Sequence, residues 1–317
     1  MNLERSLPAD MRGATTTIAK VSAGLSGAGV YRVEVDGRTF VLKVAHEGDS
    51  LAVWHSKLHV QQLAAEAGLA PRIVHVDEAT RAVLSEFVVD RSFSMFYFDP
   101  RTRDAALAML GRTVRRVHEL QVPPGRTLKD PLDFFNDLWS GLVHSFALPD
   151  FVGDTVRHVL AEKAPVRERP LVLSHNDANP SNLIYDGEHL LLLDWESAGA
   201  NDPFYDLATI AVFLRMDVAT CQGLLAAYDG ERVEMLPARF TYTRRLVAAL
   251  CGTMFLRLAR NAGHPGASGT ETLDSTPSLG ECYQRFRAGA LNVAGADGQW
   301  MFGLALIKES LALEEGA

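Results

Sequence analysis

Four side chains within residues 171–199 are of types that hold cations and move protons: His175, Asp177, Asn182 and Asp194, in "LVLSHNDANPSNLIYDGEHLLLLDWESAG". The stretch from Leu183 to Leu193 reads as a hairpin turning at Asp186-Gly187, a pair favoured in tight turns. A hairpin returns its last residue to the level of its first. Asn182 and Asp194 are therefore expected at the same end, able to share a ligand. One neutral oxygen and one carboxylate, with positions left open, suit Mg²⁺, which keeps waters and takes phosphate oxygens. Asp177 precedes Asn182 by five residues, in a loop that follows the apolar run Leu171–Leu173. There it can accept a proton from a hydroxyl held beside that metal. Asp and Asn also cap turns, which is their commonest use. The joint pattern of strand, HxD, four residues, Asn, hairpin and Asp is far rarer than any of its members.

Such a site needs elements to place it, and the N-terminal third supplies a second hairpin. "VYRVEVDGRTFVLKVA" (30–45) alternates with period two around Asp36-Gly37. Lys43 then shares a face with Val41 and Ala45, while Phe40, Leu42 and Val44 face the other way. A lysine among small apolar neighbours on a strand can reach phosphates, although a solvent-facing lysine is the commoner case. Upstream, "SAGLSGAGVYRV" places Gly24, Gly27 and Gly29 just before and in the first strand. Small residues there let backbone N–H groups approach phosphate.

"SLAVWHSKLHVQQLAAEAG" (50–68) has helical spacing and stops at Gly68, and "RAVLSEFVV" (81–89) reads as a buried strand. From about Arg101 helices dominate. "TRDAALAMLGRTVRRVHELQ" sets Leu107, Leu110, Val114, Val117 and Leu120 on one face, and further helices are expected near 131–147, 151–163, 203–215, 217–228 and 239–261. Residues 261–280, rich in Gly, Ser, Thr and Pro, read as a mobile loop before a closing helix pair. The fold class is α+β with two lobes: a β-rich one over 1–88 and a larger, mainly helical one over 89–317.

Composition sets the bounds. The chain has 317 residues, 47% hydrophobic and 22% charged, as an ordinary globular protein has. A net charge of −8 argues against nucleic acid as a partner and agrees with a small cationic substrate. No apolar run approaches the roughly 20 residues of a membrane span, and the N-terminus lacks a signal peptide's apolar core. Three cysteines without CxxC spacing suggest reduced thiols in a cytoplasmic protein. The oligomeric state, monomer or homodimer, stays open.

"HNDANPSN" followed by "LLLLDWE" resembles the catalytic and metal motifs of the kinase-like small-molecule phosphotransferases: choline, ethanolamine and thiamine kinases and aminoglycoside phosphotransferases. These are relatives of the protein kinases with their HRDxxxxN and DFG motifs. "HND" with "DWE" is more similar to the choline/thiamine branch than to the aminoglycoside one. The resemblance implies a two-lobed protein-kinase-like fold and transfer of the γ-phosphoryl of ATP, with Mg²⁺, to a hydroxyl of a small cationic molecule. By that resemblance Asp177 is the catalytic base, Asn182 and Asp194 hold Mg²⁺, and His175 and Asp206 brace the loop. Lys43 and the loop of Ser22, Gly24, Ser26, Gly27 and Gly29 bind phosphates, and backbone groups from Glu86 to Val88 bind adenine. ATP is not distinguished from GTP.

One departure stands out. The family pairs the strand lysine with a glutamate on the first helix, and the expected position near Leu58 or His59 holds no acid. Glu66 serves only with a shifted register. His55 and His59 share a helix face with no third ligand for a metal nearby. On the acceptor side, Trp195, Glu196, Asp202, Tyr205, Asp133 and Trp139 are candidates, with Glu196 favoured as facing the substrate. Two alternatives follow from the same residues: an antibiotic kinase, and a catalytically silent nucleotide-binding regulatory module.

Overall fold

Phe40, Leu42 and Val44 alternate with Val41 and Lys43 along one strand, and this alternation organises the N-terminal sheet. The computed structural model describes residues 3–13, 15–21, 29–127 and 129–315. Strand β1 (Thr17–Lys20) is followed by β2 (Gly29–Val35) and β3 (Arg38–Val44), which pair antiparallel from Gly29 opposite Val44 to Val35 opposite Arg38. Asp36 and Gly37 both take positive φ, 48° and 76°, as a two-residue turn matching strand twist requires. Helix α1 (Leu51–Glu66) starts at Ser50, whose side chain accepts from the Val53 N–H. Strands β4 (Ile73–Asp77) and β5 (Ala82–Glu86) complete a five-stranded sheet of order β1-β2-β3-β5-β4. One face buries Leu7, Val33, Phe40, Leu42, Val44 and Leu84 together. On the other, Trp54 and Leu58 of α1 pack with Val83, leaving Lys43 half-buried beside them.

A short helix absent from the sequence reading, α2 (Phe93–Phe98), follows, its first turn capped by Ser92. Six residues are too few to display a 3.6-residue period. In α3 (Arg103–His118), Leu107, Leu110, Val114 and Val117 are buried as their spacing requires, and Leu120 falls beyond the helix. Helices α4 (Pro131–Val143) and α5 (Asp150–Ala161) precede β6 (Val172–Ser174), the hairpin of β7 (Leu183–Tyr185) and β8 (Leu190–Leu192), and β9 (Gly199–Asn201), which pairs with β6. The chain continues through α6 (Phe204–Phe213), α7 (Val218–Asp229), α8 (Ala238–Asn261), α9 (Leu279–Arg287) and α10 (Ala296–Glu315).

Two units emerge. The first joins Met1–Arg126 to Val172–Ala200 and Ala227–Gly230, so it extends past residue 88 to include α2, α3 and the β7–β8 hairpin. The second comprises Thr127–Leu171, Asn201–Ala226 and Glu231–Ala317 and is mainly helical. Within the second, α8 and α10 cross closely at Gly252 and Gly303: a Cβ on either would lie 2.9–3.0 Å from the other's carbonyl oxygen. The expected loop at 261–280 is irregular but internally tied: Glu271 accepts from the Ser268, Gly269 and Thr270 N–H groups, and Lys308 donates to the Thr276 carbonyl. The cysteines are free thiols, and burial pushes those of Cys221 and Cys282 up to about 11, far from a reactive thiolate. Among the described residues no helix is long and apolar enough to cross a membrane.

Within the first unit Gly111 of α3 meets the end of α7. A Cβ there would sit 2.6 Å from the Ala227 Cβ and 2.8 Å from the Tyr228 backbone nitrogen. Gly111→Val is therefore expected to destabilise the protein by about 1–3 kcal/mol, because the obstacle is backbone and not a movable side-chain tip. A lowered melting temperature checks this; an unchanged one would mean that the two segments separate readily.

Candidate active site

The β7–β8 hairpin builds the core of the site. Leu183 pairs with Leu192 and Tyr185 with Leu190, and one step beyond, the Leu193 N–H donates to the Asn182 carbonyl at 2.8 Å. Asn182 and Asp194 thus lie at one end of the hairpin. The connection is a four-residue loop and not the two-residue turn expected: Asp186 accepts with its own carboxylate from the Glu188 and His189 N–H groups. An Asp side chain that folds back this way closes a longer turn. The longer loop shifts the register by two residues from that of a turn at Asp186-Gly187, an even step that keeps every side chain on its face.

Asp177 is held from both sides. Asn179 Nδ2 donates to its Oδ1 and Asn182 Nδ2 to its Oδ2, each at 2.8 Å, and Asn182 Nδ2 also reaches the Asp177 carbonyl. Each carboxylate oxygen keeps a further lone pair for a hydroxyl proton. Burial pushes the Asp177 carboxyl up from its ordinary value, and Asp194 adds to this, against the opposing pull of Asn179, His175 and Asn182. Because the amide nitrogen of Asn182 faces Asp177, its carbonyl oxygen is the atom left to ligate a cation. One amide oxygen with one carboxylate fits a hard divalent ion that keeps most of its waters.

His175 is fully buried. Its Nε2–H donates to the Leu193 carbonyl at 2.9 Å, which fixes the tautomer, and its ring stacks edge-on against Trp195 at 4.8 Å. It therefore tethers the strand end that carries Asp194. Asp194 itself takes a left-handed conformation, φ 61°, that non-glycine residues adopt rarely. Two residues unremarked in the sequence stabilise the same turn. Asn176, also at positive φ, donates through Nδ2 to the carbonyls of Ser174, Ser197 and Gly199. Arg126, buried, donates to those of Glu196 and Ala198. Both hold backbone across gaps of 21 residues or more, which no local motif reveals.

Lys43 donates to Asp194 Oδ1 at 2.7 Å and forms an ion pair with Glu196 Oε1 at 2.6 Å. Burial alone would lower the pKa of this lysine, but Asp194 and then Glu196 outweigh it, and the net shift is upward. Glu196, favoured from sequence as facing the substrate, is instead engaged on the lysine side, with its second oxygen 3.3 Å from Lys57 Nζ. On α1, Leu58 is buried against Trp54 and Val83 and His59 is exposed, so neither is the partner of Lys43. The helix turns Lys57, and one turn later Gln61, toward a cavity lined also by Lys43, Asp194 and Glu196. His55 pairs with Glu78 on the exposed side.

Other candidates fall in different surroundings. Ser22, Gly24, Ser26 and Gly27 lie outside the described residues, while Gly29 opens β2. Glu86 ends β5 with its carboxylate on Arg72, which holds it below the usual carboxylate range, and Val88 follows in irregular chain. Trp195 is buried with its indole N–H on the Leu192 carbonyl, and Trp139 belongs to the core of the second unit with Phe135, Leu142 and Trp300. Trp139 is a packing residue, while Trp195, though buried, contributes to the wall of the cavity that Lys43 and Glu196 line. Asp206 is buried in the first turn of α6.

Asp202, Tyr205 and Asp133 come together in the second unit. They line a cavity of about 360 Å³ with Asp130, Arg167, Arg239 and Tyr242. Asp202 pairs with Arg239 at 2.9 Å and with Arg167 at 3.6 Å. The Tyr242 hydroxyl is buried in this wall and has no hydrogen-bond partner among the described residues.

Comparison with known proteins agrees with this geometry. Residues 17–240 match the model of the phosphotransferase enzyme family. Protein LicA of Haemophilus influenzae is 37% identical over 54 residues, which is 17% of this chain and 20% of that protein, so the chain's match spans about a fifth of the length of that curated relative. Among solved structures, a choline/ethanolamine kinase family protein from Mesorhizobium loti superposes over 99% of this chain and 97% of its own, with TM-score 0.60 and 21% identity. An aminoglycoside-3'-phosphotransferase of type VIII covers 75% of this chain and 94% of its own, with TM-score 0.53 and 23% identity. At these identities the structural likeness establishes the kinase-like fold. With its sheet, its HxD–Asn–hairpin–Asp constellation and a family match over most of its length, the chain belongs to the phosphotransferase enzyme family.

Proposed function

We propose that the protein transfers the γ-phosphoryl group of ATP to a hydroxyl of a small cationic alcohol of the choline, ethanolamine or thiamine kind. The observation that carries this reading is the convergence at one hairpin end of Asp177, Asn182 and Asp194, with Lys43 bonded to Asp194. In this reading Asp177 orients the acceptor hydroxyl and takes its proton, while its two amide donors keep the carboxylate from rotating. Lys43 positions phosphate oxygens and offsets developing charge. The Asn182 carbonyl and Asp194 are the residues that would hold Mg²⁺, which when bound supplies charge neutralisation at the phosphates. Glu86 to Val88 remain the proposed adenine contacts.

The cavity of the second unit is the proposed acceptor pocket. Its volume suits a small ligand. A buried hydroxyl without a partner, as on Tyr242, is uncommon in native proteins and is accounted for by a ligand that hydrogen-bonds it. Because Asp202 is engaged with two arginines and Asp130 lies 4.0 Å from one of them, Arg167, recognition of a cation falls first to Asp133. A silent nucleotide-binding module is disfavoured, since its motive was the missing partner of Lys43, and Glu196 supplies one.

The test is ADP release with a panel of choline, ethanolamine, thiamine and aminoglycosides. Acceptor-dependent release with a small cationic alcohol is the expected result. Release with aminoglycosides alone would move the substrate class to antibiotics. Nucleotide binding with no turnover on any alcohol would overturn the enzymatic reading.

A further inference from the structure

We propose that Lys57 is a positioning residue for phosphoryl transfer, acting on Lys43 through Glu196. The inference rests on the phosphotransferase reading above. It starts from a chain of alternating charges within the first unit: Asp49, Lys57, Glu196, Lys43 and Asp194. Glu196 bridges two lysines with separate oxygens, Oε1 to Lys43 at 2.6 Å and Oε2 to Lys57 at 3.3 Å. Lys57 is anchored at its other side by Asp49 at 2.7 Å. The side chains of the five groups in this chain are between 19% and 32% exposed, so the network is screened less than a surface pair.

The polarity of this arrangement has a consequence. Lys43 has two partners, and one of them, Asp194, is also the proposed cation ligand. When Asp194 turns to that task, Glu196 is the carboxylate that still holds Lys43 in place. The backbone of Glu196 is fixed by Arg126, and the ion pairs of its side chain among the described residues are with the two lysines. Lys57 therefore decides where the Glu196 carboxylate points, and through it where the Lys43 ammonium sits. Helix α1 is coupled to the strand lysine by an intermediate acid, with a base on the helix in place of an acid. A misplaced ammonium loses transition-state stabilisation steeply, since such groups act by being preorganised.

The experiment is a double-mutant cycle on Lys57→Met and Glu196→Gln, read in nucleotide affinity by titration calorimetry and in kcat/KM for nucleotide. Lys57→Met is expected to lower kcat/KM about tenfold, within the range of coupling energies for residues in one ion network. It should add little in the Glu196→Gln background, and Lys57→Arg should restore most of the loss. A purely structural role would lower the melting temperature and leave the folded enzyme's kcat/KM and affinity unchanged. Parent-like kinetics in Lys57→Met, or full additivity with Glu196→Gln, would overturn the proposal. Lys43→Met is the control for the underlying reading: if it too binds nucleotide and turns over as the parent does, the phosphotransferase assignment fails. If Lys43→Met is impaired and Lys57→Met is not, only the role of Lys57 fails.

Discussion

Asp177→Ala is expected to lower kcat by on the order of 10²- to 10⁴-fold, the usual contribution of a positioned general base, with nucleotide affinity close to the parent's. The carboxylate is bonded to two amide nitrogens, Asn179 Nδ2 and Asn182 Nδ2, neither of which can take a proton from an alcohol. Removing it therefore leaves no replacement acceptor at that point. Lys43, the proposed phosphate contact, is bonded elsewhere, to Asp194 and Glu196, so affinity for nucleotide has no direct reason to fall. Asn182 does lose a partner in this variant, and a modest change in cation dependence should accompany the loss of kcat. Asp177→Asn is a harsher test of geometry, because its own amide donors would oppose those of Asn179 and Asn182. Single-turnover assays with saturating nucleotide separate the chemical step from binding. Parent-like kcat in Asp177→Ala would remove Asp177 from the mechanism.

The contrast between what the sequence revealed and what it hid follows from contact range. Asn182 and Asp194 were legible because a hairpin converts spacing along the chain into proximity, and the longer turn shifted the pairing by two residues, setting Asn182 opposite Leu193, next to Asp194. Lys43 was legible because period-two alternation fixes the face of every residue on a strand. Lys57 was not. Adjacent positions on a helix point about 100° apart, so an error of one residue exchanges a buried Leu58 for a bonded Lys57. Of its two acid partners, the one that links it to Lys43, Glu196, lies 139 residues away, where no helix pattern would look for it. The aromatic candidates fall in different surroundings for a related reason. Composition cannot tell a core tryptophan such as Trp139 from a cavity-lining tyrosine such as Tyr205, because that distinction depends on which helices meet. Arg126 and Asn176 donate to backbone carbonyls, which carry no residue identity at all.

Lys43→Met is expected to reduce kcat/KM for nucleotide on the order of 10²- to 10³-fold, comparable to removing one preorganised charge-stabilising donor. The loss has two parts. In the proposed mechanism phosphate oxygens lose their cation, and Asp194 and Glu196 lose the ammonium that lies between their carboxylates. Glu196 can turn toward Lys57, but Asp194 has no other basic partner among the ion pairs of the described residues. The freed Asp194 carboxylate should bind a divalent cation at least as tightly as before, so cation affinity and nucleotide affinity should move apart. That divergence distinguishes a lost phosphate contact from general collapse of the site. The effect on folding should be small by comparison, near the ~1 kcal/mol of a partly exposed ion pair, and a melting temperature close to the parent's would show it. Lys43→Arg should recover little activity. A single ammonium can meet Asp194 and Glu196 from one point, whereas a planar guanidinium is longer and fixes its donors in a fork. Substantial rescue by arginine would mean that charge alone matters at this position, and the geometry argued for Glu196 and Lys57 would then lose its force.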